Sequence, residues 1–262
     1  MRKRVIPCIF LKNGMIIRSQ EFKIHKVIGN PVSQVKRYSD WAVDEIMYID
    51  ISSDGEYHNK RSDHKIKIEN NKIKLLQEVA KNVFVPLGFG GGIRSINEIR
   101  DYLQNGADKV VLNTVLYKNI DILKEAVDIF GSQALVGMVD YKDEYVYFEN
   151  GKLKSDYLVN DWCKKLIDLG IGEIILHNIS RDGTAEGYDI NTISQIVKNS
   201  VVPIIGLGGA GDYFDLVECF KNANPSGLGI GNLLHFREHS YYHAKKLLLK
   251  SKIDVREEWG VF

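Results

Sequence analysis

Val43-Asp-Glu-Ile-Met-Tyr-Ile-Asp-Ile51 and Ile171-Gly-Glu-Ile-Ile-Leu-His-Asn-Ile179 are two versions of one segment, 128 residues apart. Both are isoleucine-rich with little polar alternation, the pattern of a strand buried on both faces of a parallel sheet. Working outward, the likeness continues. Gly90-Gly-Gly92 recurs as Gly208-Gly209 followed by Ala210-Gly211, and Leu112-Asn113 recurs as Gly231-Asn232. The spacing of the copies shortens between the second and third strands, and the polar stretch Tyr57–Asn71 accounts for the difference. Six further β-rich runs join the first two: Val5–Leu11, Val85–Phe89, Lys109–Leu112, Ala134–Asp140, Pro203–Leu207 and Gly227–Gly231. Helical patterns alternate with them, at Pro31–Ala42, Lys72–Lys81, Ser95–Asn105, Ile120–Phe130, Leu158–Leu169, Asn191–Lys198, Asp212–Asn222 and Arg237–Leu249.

Eight strand-then-helix units in 262 residues predict an α/β fold, a (β/α)8 TIM barrel with a half-barrel internal repeat, as one domain over residues 1–262. An open doubly wound sheet is the runner-up. It has fewer strands as a rule, and no Gly-x-Gly-x-x-Gly follows the first run.

Lys and Arg number 35 against 34 Asp and Glu. That balance supplies no general field for nucleic acid or anionic lipid, so neither is expected as a partner. The longest nearly apolar stretch, Val83–Ile93, is too short to span a bilayer. Met1-Arg-Lys-Arg4 followed by Val5–Leu11 has the charge order of a signal peptide. Lys12-Asn13-Gly14 stands where a small-residue cleavage site belongs, and the run reads as a strand. Cys8, Cys163 and Cys219 are far apart and odd in number, which predicts neither a metal site nor a disulfide framework but a reducing cytoplasm. No cofactor is expected.

In such a barrel the chemistry sits at the C-terminal ends of the strands. Strand three ends in Gly90-Gly91-Gly92 and strand four in Asn113-Thr114, each before a helix. Strand seven ends in Gly208-Gly209 and strand eight in Gly231-Asn232. Glycines let backbone N–H groups approach an anion, so these pairs predict two phosphate cradles, one per half, and an elongated substrate with a phosphate at each end. The alternative is that the glycines only permit tight turns. Asp182-Gly183, after strand six, is counted among the phosphate-binding residues; Asp182 either accepts a bond from a substrate hydroxyl or caps its own loop. Asp140 closes strand five at the mouth, as a general acid or base or as a loop-bonding carboxylate.

The chain resembles the cyclase subunit of imidazole glycerol phosphate synthase over nearly its full length. The first half carries Cys8-x3-Lys12-x-Gly14, Gly29-x-Pro31-Val32, Asp44-Glu45, Asp50-Ile51, Gly90-Gly-Gly-Ile93, Gly106-Ala-Asp-Lys109, Asn113-Thr114 and Phe130-Gly-Ser-Gln133. The second carries Asp140, Asp161-Trp162, Gly172-Glu173, Arg181-Asp-Gly-Thr184, Gly187-Tyr-Asp189, Gly208-Gly-Ala-Gly211 and His235-Phe-Arg-Glu238. The resemblance implies a lyase of histidine biosynthesis that forms a heterodimer with a glutaminase. Ammonia released there passes through the barrel and splits a bisphosphorylated ribulosyl intermediate into imidazole glycerol phosphate and an aminoimidazole carboxamide ribotide. It implies an ammonia gate at the floor, Arg4, Glu45, Lys109 and Glu173, with Asp108 beside it facing the glutaminase. A simple salt-bridge plug is the other reading of that ring.

One departure stands out. The family's acid–base pair is the Asp matching Asp140 and an Asp two residues after the strand-one cysteine. That second position is Phe10 here. A positioned acid–base group is worth about 10²–10⁴-fold in rate. Small hydroxylated family residues are replaced by His177, Leu207 and Asn232, and a lysine by Arg18. Three readings follow. One is a divergent paralogue that keeps the glutaminase and serves, with a separate sugar amidotransferase, the amidation of a surface-polysaccharide sugar. Another is an active cyclase in which His177 or Asp50 replaces the lost carboxylate. The third is a non-catalytic scaffold for the glutaminase. His239 and His243 at i, i+4 read as surface, Trp41, Trp162 and Trp259 as packing, and the run Lys60–Lys74 as a solvated or partner-facing loop.

Overall fold

A computed structural model describes residues 2–52, 71–235 and 239–257. Most of the Tyr57–Asn71 stretch, His58, His64, residues 60–70 of the lysine run, residues 236–238 and Trp259 lie outside the described residues.

The strands in chain order are β1 (Arg4–Lys12), β2 (Met15–Gln20), β3 (Ile24–Gly29), β4 (Ile46–Asp50), β5 (Leu87–Gly90) and β6 (Lys109–Leu112). They continue as β7 (Leu135–Lys142), β8 (Tyr145–Phe148), β9 (Leu153–Leu158), β10 (Glu173–Asn178), β11 (Ile204–Leu207) and β12 (Gly227–Ile230). Eight pair in parallel in the order β1, β4, β5, β6, β7, β10, β11, β12, and β12 pairs back to β1. The sheet is therefore a closed eight-stranded barrel, the predicted (β/α)8 architecture. The helices are α1 (Pro31–Asp40), α2 (Lys72–Ala80), α3 (Ile96–Gln104), α4 (Thr114–Lys118), α5 (Asp121–Phe130), α6 (Val159–Asp168), α7 (Ile190–Asn199), α8 (Tyr213–Asn222) and α9 (Ser240–Lys250).

Strand periodicity sorts the apolar residues into two cores. Val5, Ile9 and Leu11 of β1 pack outward against the helices, while Ile6, Cys8 and Phe10 fill the barrel. Met47, Val111, Val136, Met138, Ile175 and Ile205 come inward from the other strands. β5 and β12 contribute glycine instead. A Cβ on Gly88 would lie 2.0 Å from the Met47 sulfur, and one on Gly229 would lie 2.8 Å from Cys8 Sγ. The larger side chains of neighbouring strands take that space. The outer core holds Trp162, 1% exposed, and Trp41 packs against it.

Two hairpins were not foreseen. β2–β3 follows β1, and β8–β9 follows β7. Both rise from the C-terminal end of the barrel. Their tips meet: a Cβ on Gly151 would lie 3.1 Å from the Phe22 ring. Lys72 also departs from expectation. It is 9% exposed and sits 3.6 Å from Asp50, not in solvent.

Candidate active site

The inward phase of β1 carries Arg4 at the floor and Phe10 at the mouth. The same phase of β10 carries Glu173 and His177. At the floor, Arg4 and Lys109 alternate with Glu45 and Glu173. Arg4 reaches Glu45 at 2.6 Å and also bonds Glu173. Lys109 lies 2.6 Å from Glu45 and 2.8 Å from Glu173. Each carboxylate thus holds both cations. Glu45 and Glu173 are only 2% and 4% exposed. Burial pushes the Glu45 carboxyl up, and Lys109 pulls against it. Asp108 is exposed just outside the ring, with its carboxylate accepting from the Leu87 backbone N–H at 2.8 Å. Above the ring the barrel interior is apolar.

At the mouth, Asp140 and His177 are register partners on adjacent strands. Asp140 Oδ1 is 2.8 Å from His177 Nδ1, and Oδ2 accepts from Asn113 Nδ2 at 2.7 Å. On the far side of the imidazole, Nε2 lies 3.9 Å from Asp182 Oδ1. Burial alone would lower the pKa of His177. The bond to Asp140, with Asp182 behind the ring, overcomes it and raises the value to about 9. The reverse holds for Asp182: burial works to raise its pKa, and His177 brings it below the ordinary value. The three side chains form a buried line, carboxylate–imidazolium–carboxylate. His177 entered the sequence reading as a replacement; what the linear sequence does not carry is its register beside Asp140.

Phe10 closes over this line. Its ring centroid is 5.3 Å from that of His177 and 5.2 Å from that of Phe22, and Phe22 meets His177 edge-on at 5.0 Å. The position opposite Asp140 thus holds aromatic rings. Phe22 comes from the tip of the β2–β3 hairpin, where it and Glu21 adopt left-handed backbone. The tip is tied down: Glu21 N–H donates to the Asp182 carbonyl at 2.6 Å, Phe22 N–H to the Asp182 carboxylate at 3.2 Å, and Asn232 Nδ2 to the Ser19 carbonyl at 3.0 Å.

The predicted cradle residues divide between two unequal cavities. Gly91, Gly92, Asn113, Thr114 and Asp140 line one of about 500 Å³, with Asp50, Arg94, Lys118 and Lys152. Gly91 needs its positive φ of 116° there, since a Cβ would fall 2.0 Å from the Asp50 carbonyl. Lys72 Nζ lies 3.3 Å from the Gly91 carbonyl, a cation that the sequence reading missed. Asp182, Gly183, Gly208, Gly209, Gly231 and Asn232 line the other, together with Phe10 and Leu207, and it measures about 30 Å³. Small-molecule sites run to roughly 300–1,000 Å³, so the first cavity is of ligand size and the second holds little more than water.

Among the described residues no group of His, Cys, Asp and Glu is placed to hold a metal ion, and no helix is long and apolar enough to cross a membrane. Cys8, Cys163 and Cys219 are buried and unpaired with one another.

Comparison with known proteins places the chain. The family described as "Histidine biosynthesis protein" matches residues 4–240. An imidazole glycerol phosphate synthase subunit HisF from Natranaerobius thermophilus is 34% identical over 260 residues, 98% of this chain and 99% of that protein. The HisF subunit of a Hydrogenobaculum species is 36% identical over 261 residues, with 98% and 99% covered. That of Methanocaldococcus jannaschii is 32% identical over 280 residues, again 98% and 99%. With a closed eight-stranded parallel barrel, a charged ring at its floor and glycine turns at its mouth, the chain belongs to the histidine biosynthesis protein family, alongside the HisF subunits of imidazole glycerol phosphate synthase.

Proposed function

We propose that the protein is a cyclase-like subunit that accepts ammonia from a partner glutaminase and delivers it to an acceptor other than the ribulosyl bisphosphate of histidine synthesis. The glutaminase docks on the floor, against Asp108 and the Arg4–Glu45–Lys109–Glu173 ring. Ammonia, small and uncharged, crosses the apolar interior toward Asp140. The acceptor assigned by this reading is a sugar destined for a surface polysaccharide, amidated together with a separate sugar amidotransferase in the cytoplasm. The observation that carries it is Phe10. A buried phenyl ring, packed at a tilt against His177, stands where the cyclase reaction needs a second carboxylate. The large cavity beside Asp140 speaks against a scaffold without a ligand.

A second reading has its own observation. Asp140 and His177 are themselves a hydrogen-bonded acid–base couple, so an active cyclase would route its protons through them. The experiment that separates the two is ammonium-dependent turnover of the bisphosphorylated ribulosyl substrate by the purified subunit. Our reading expects a rate at least about 10²-fold below that of a HisF subunit with both carboxylates. A comparable rate returns the protein to histidine synthesis.

A further inference from the structure

The two halves of the mouth are separate cavities of unequal size, and the larger has another neighbour. Among the described residues, none lines both the 500 Å³ and the 30 Å³ cavities. Phe22 faces the first, Phe10 faces the second, and their rings are in contact. Leu207 narrows the small cavity further, its Cδ1 lying where a side chain on Gly229 would have to stand. On its other side, the large cavity adjoins a third of about 500 Å³ between the two hairpins. These two share Phe22, Ile51, Asn150 and Lys152 as walls.

That third cavity is strongly basic. Lys12, Lys23, Lys142 and Lys152 line it, and among the described lining residues Glu21, 3.6 Å from Lys23, is the one acid. His25 lies in the same wall with a buried Nε2 that has no hydrogen-bond partner among the described residues. Concentrated like charge in a concave wall focuses field and draws anions. The Gly91–Gly92 turn supplies backbone for one anion, and the lysines supply charge for another.

We infer that the ligand of this site runs from the Gly92–Asn113 cradle into the lysine-lined cavity between the hairpins, and not across the barrel to the Gly209–Asn232 cradle. The ligand class is a small molecule with a phosphate at one end and a second anionic group at the other. The inference rests on the proposed reading of Gly91, Gly92, Asn113 and Thr114 as a phosphate cradle. It replaces the repeat-related partner of that cradle with a site built from the two hairpins and the ends of β1 and β7 that carry them.

Crystals of the full chain soaked in inorganic phosphate test the path directly. Phosphate is expected at Gly92–Asn113 and among the lysines, and not at Gly209–Asn232. Phosphate at Gly209–Asn232, or none among the lysines, overturns the inference and leaves the first cradle standing. Phosphate among the lysines but none at Gly92–Asn113 overturns the cradle reading, and the inference with it. In solution, a ligand bearing both phosphates gains from binding two sites at once, by about 10²–10⁴-fold. Ribulose 1,5-bisphosphate, used as a two-ended probe, is therefore expected to bind at least about 10²-fold tighter than ribose 5-phosphate. Lys23→Glu with Lys142→Glu, two exposed positions, is expected to remove that advantage while ribose 5-phosphate binding stays unchanged. An advantage that is absent in the wild type, or that survives the double substitution, sinks the inference.

Discussion

The rings of Phe10 and His177 lie 5.3 Å apart, and through that contact β1 shields the imidazole that β10 pairs with Asp140. The packing and the proton chemistry of the mouth therefore depend on each other. A carboxylate at residue 10 would meet an imidazole already held by Asp140, with Asp182 close by.

Phe10→Asp accordingly restores little. The small cavity stays blocked by Leu207, so ammonium-dependent turnover of the ribulosyl bisphosphate is expected to rise less than about tenfold, well short of what a positioned acid–base group supplies. Adding Leu207→Ser reopens the second cradle and is expected to raise turnover further. A full recovery by Phe10→Asp alone would show that only the carboxylate was missing. Phe10→Ala is expected to destabilise the fold by about 3–5 kcal/mol, the usual penalty for emptying a buried phenyl site, read from urea unfolding.

His177 makes stability pH-dependent with a definite sign. Its value in the folded protein, about 9, lies above the ordinary 6.5. The contribution is fully present below pH 6.5 and is lost as pH rises through 9, on the order of 3 kcal/mol in all. Asp182, held below its ordinary 3.8, acts in the opposite sense: its contribution is present above that value and disappears in acid. Urea midpoints of the wild type should fall across the alkaline window. His177→Gln should flatten that fall; an unchanged slope would remove His177 as its cause.

Breaking the floor ring by Lys109→Ala leaves Glu45 and Glu173 sharing Arg4 alone. Removing one partner of a buried ion pair is expected to destabilise by about 3–5 kcal/mol, less here because Lys109 is itself partly exposed. On the proposed function, glutamine-dependent product formation should suffer more than the ammonium-dependent reaction. Equal losses on both nitrogen sources would make the ring a structural plug.

Gly91→Ala places a Cβ against the Asp50 carbonyl at a backbone angle that L-residues rarely adopt. It is expected to lower stability by about 1–3 kcal/mol and to weaken phosphate binding at the large cavity. Gly29→Ala, with nothing within 4 Å of the added methyl, serves as the control.

The barrel was legible because its signal is periodic and duplicated. The Val43–Ile51 and Ile171–Ile179 segments alone point to two strands and the half-barrel spacing. All eight parallel strands fall within or beside their predicted runs. The hairpins were not legible, since β3 is largely exposed and Met15–Gln20 has only three apolar residues before it turns polar. Strands that pair only at an edge carry little of the burial pattern on which reading depends. At the site, the glycines pick out the residues of the two proposed cradles, and each set lines one cavity. The inequality of the two cavities was not legible, because it arises from Phe22 reaching across a hairpin and from Leu207 lying over a glycine on the next strand. Contacts of that kind belong to the closed cylinder and have no counterpart in linear spacing.

Arg4 and Phe10 occupy the same phase of a single strand, six residues apart, one in the floor ring and the other in the wall of the mouth. Inserting or deleting one residue between them would turn one of the two to the outer face while the other stayed inside. Substitution can exchange either end of this strand, but changing their separation by an odd step would turn either the floor ring or the wall of the mouth out of the barrel.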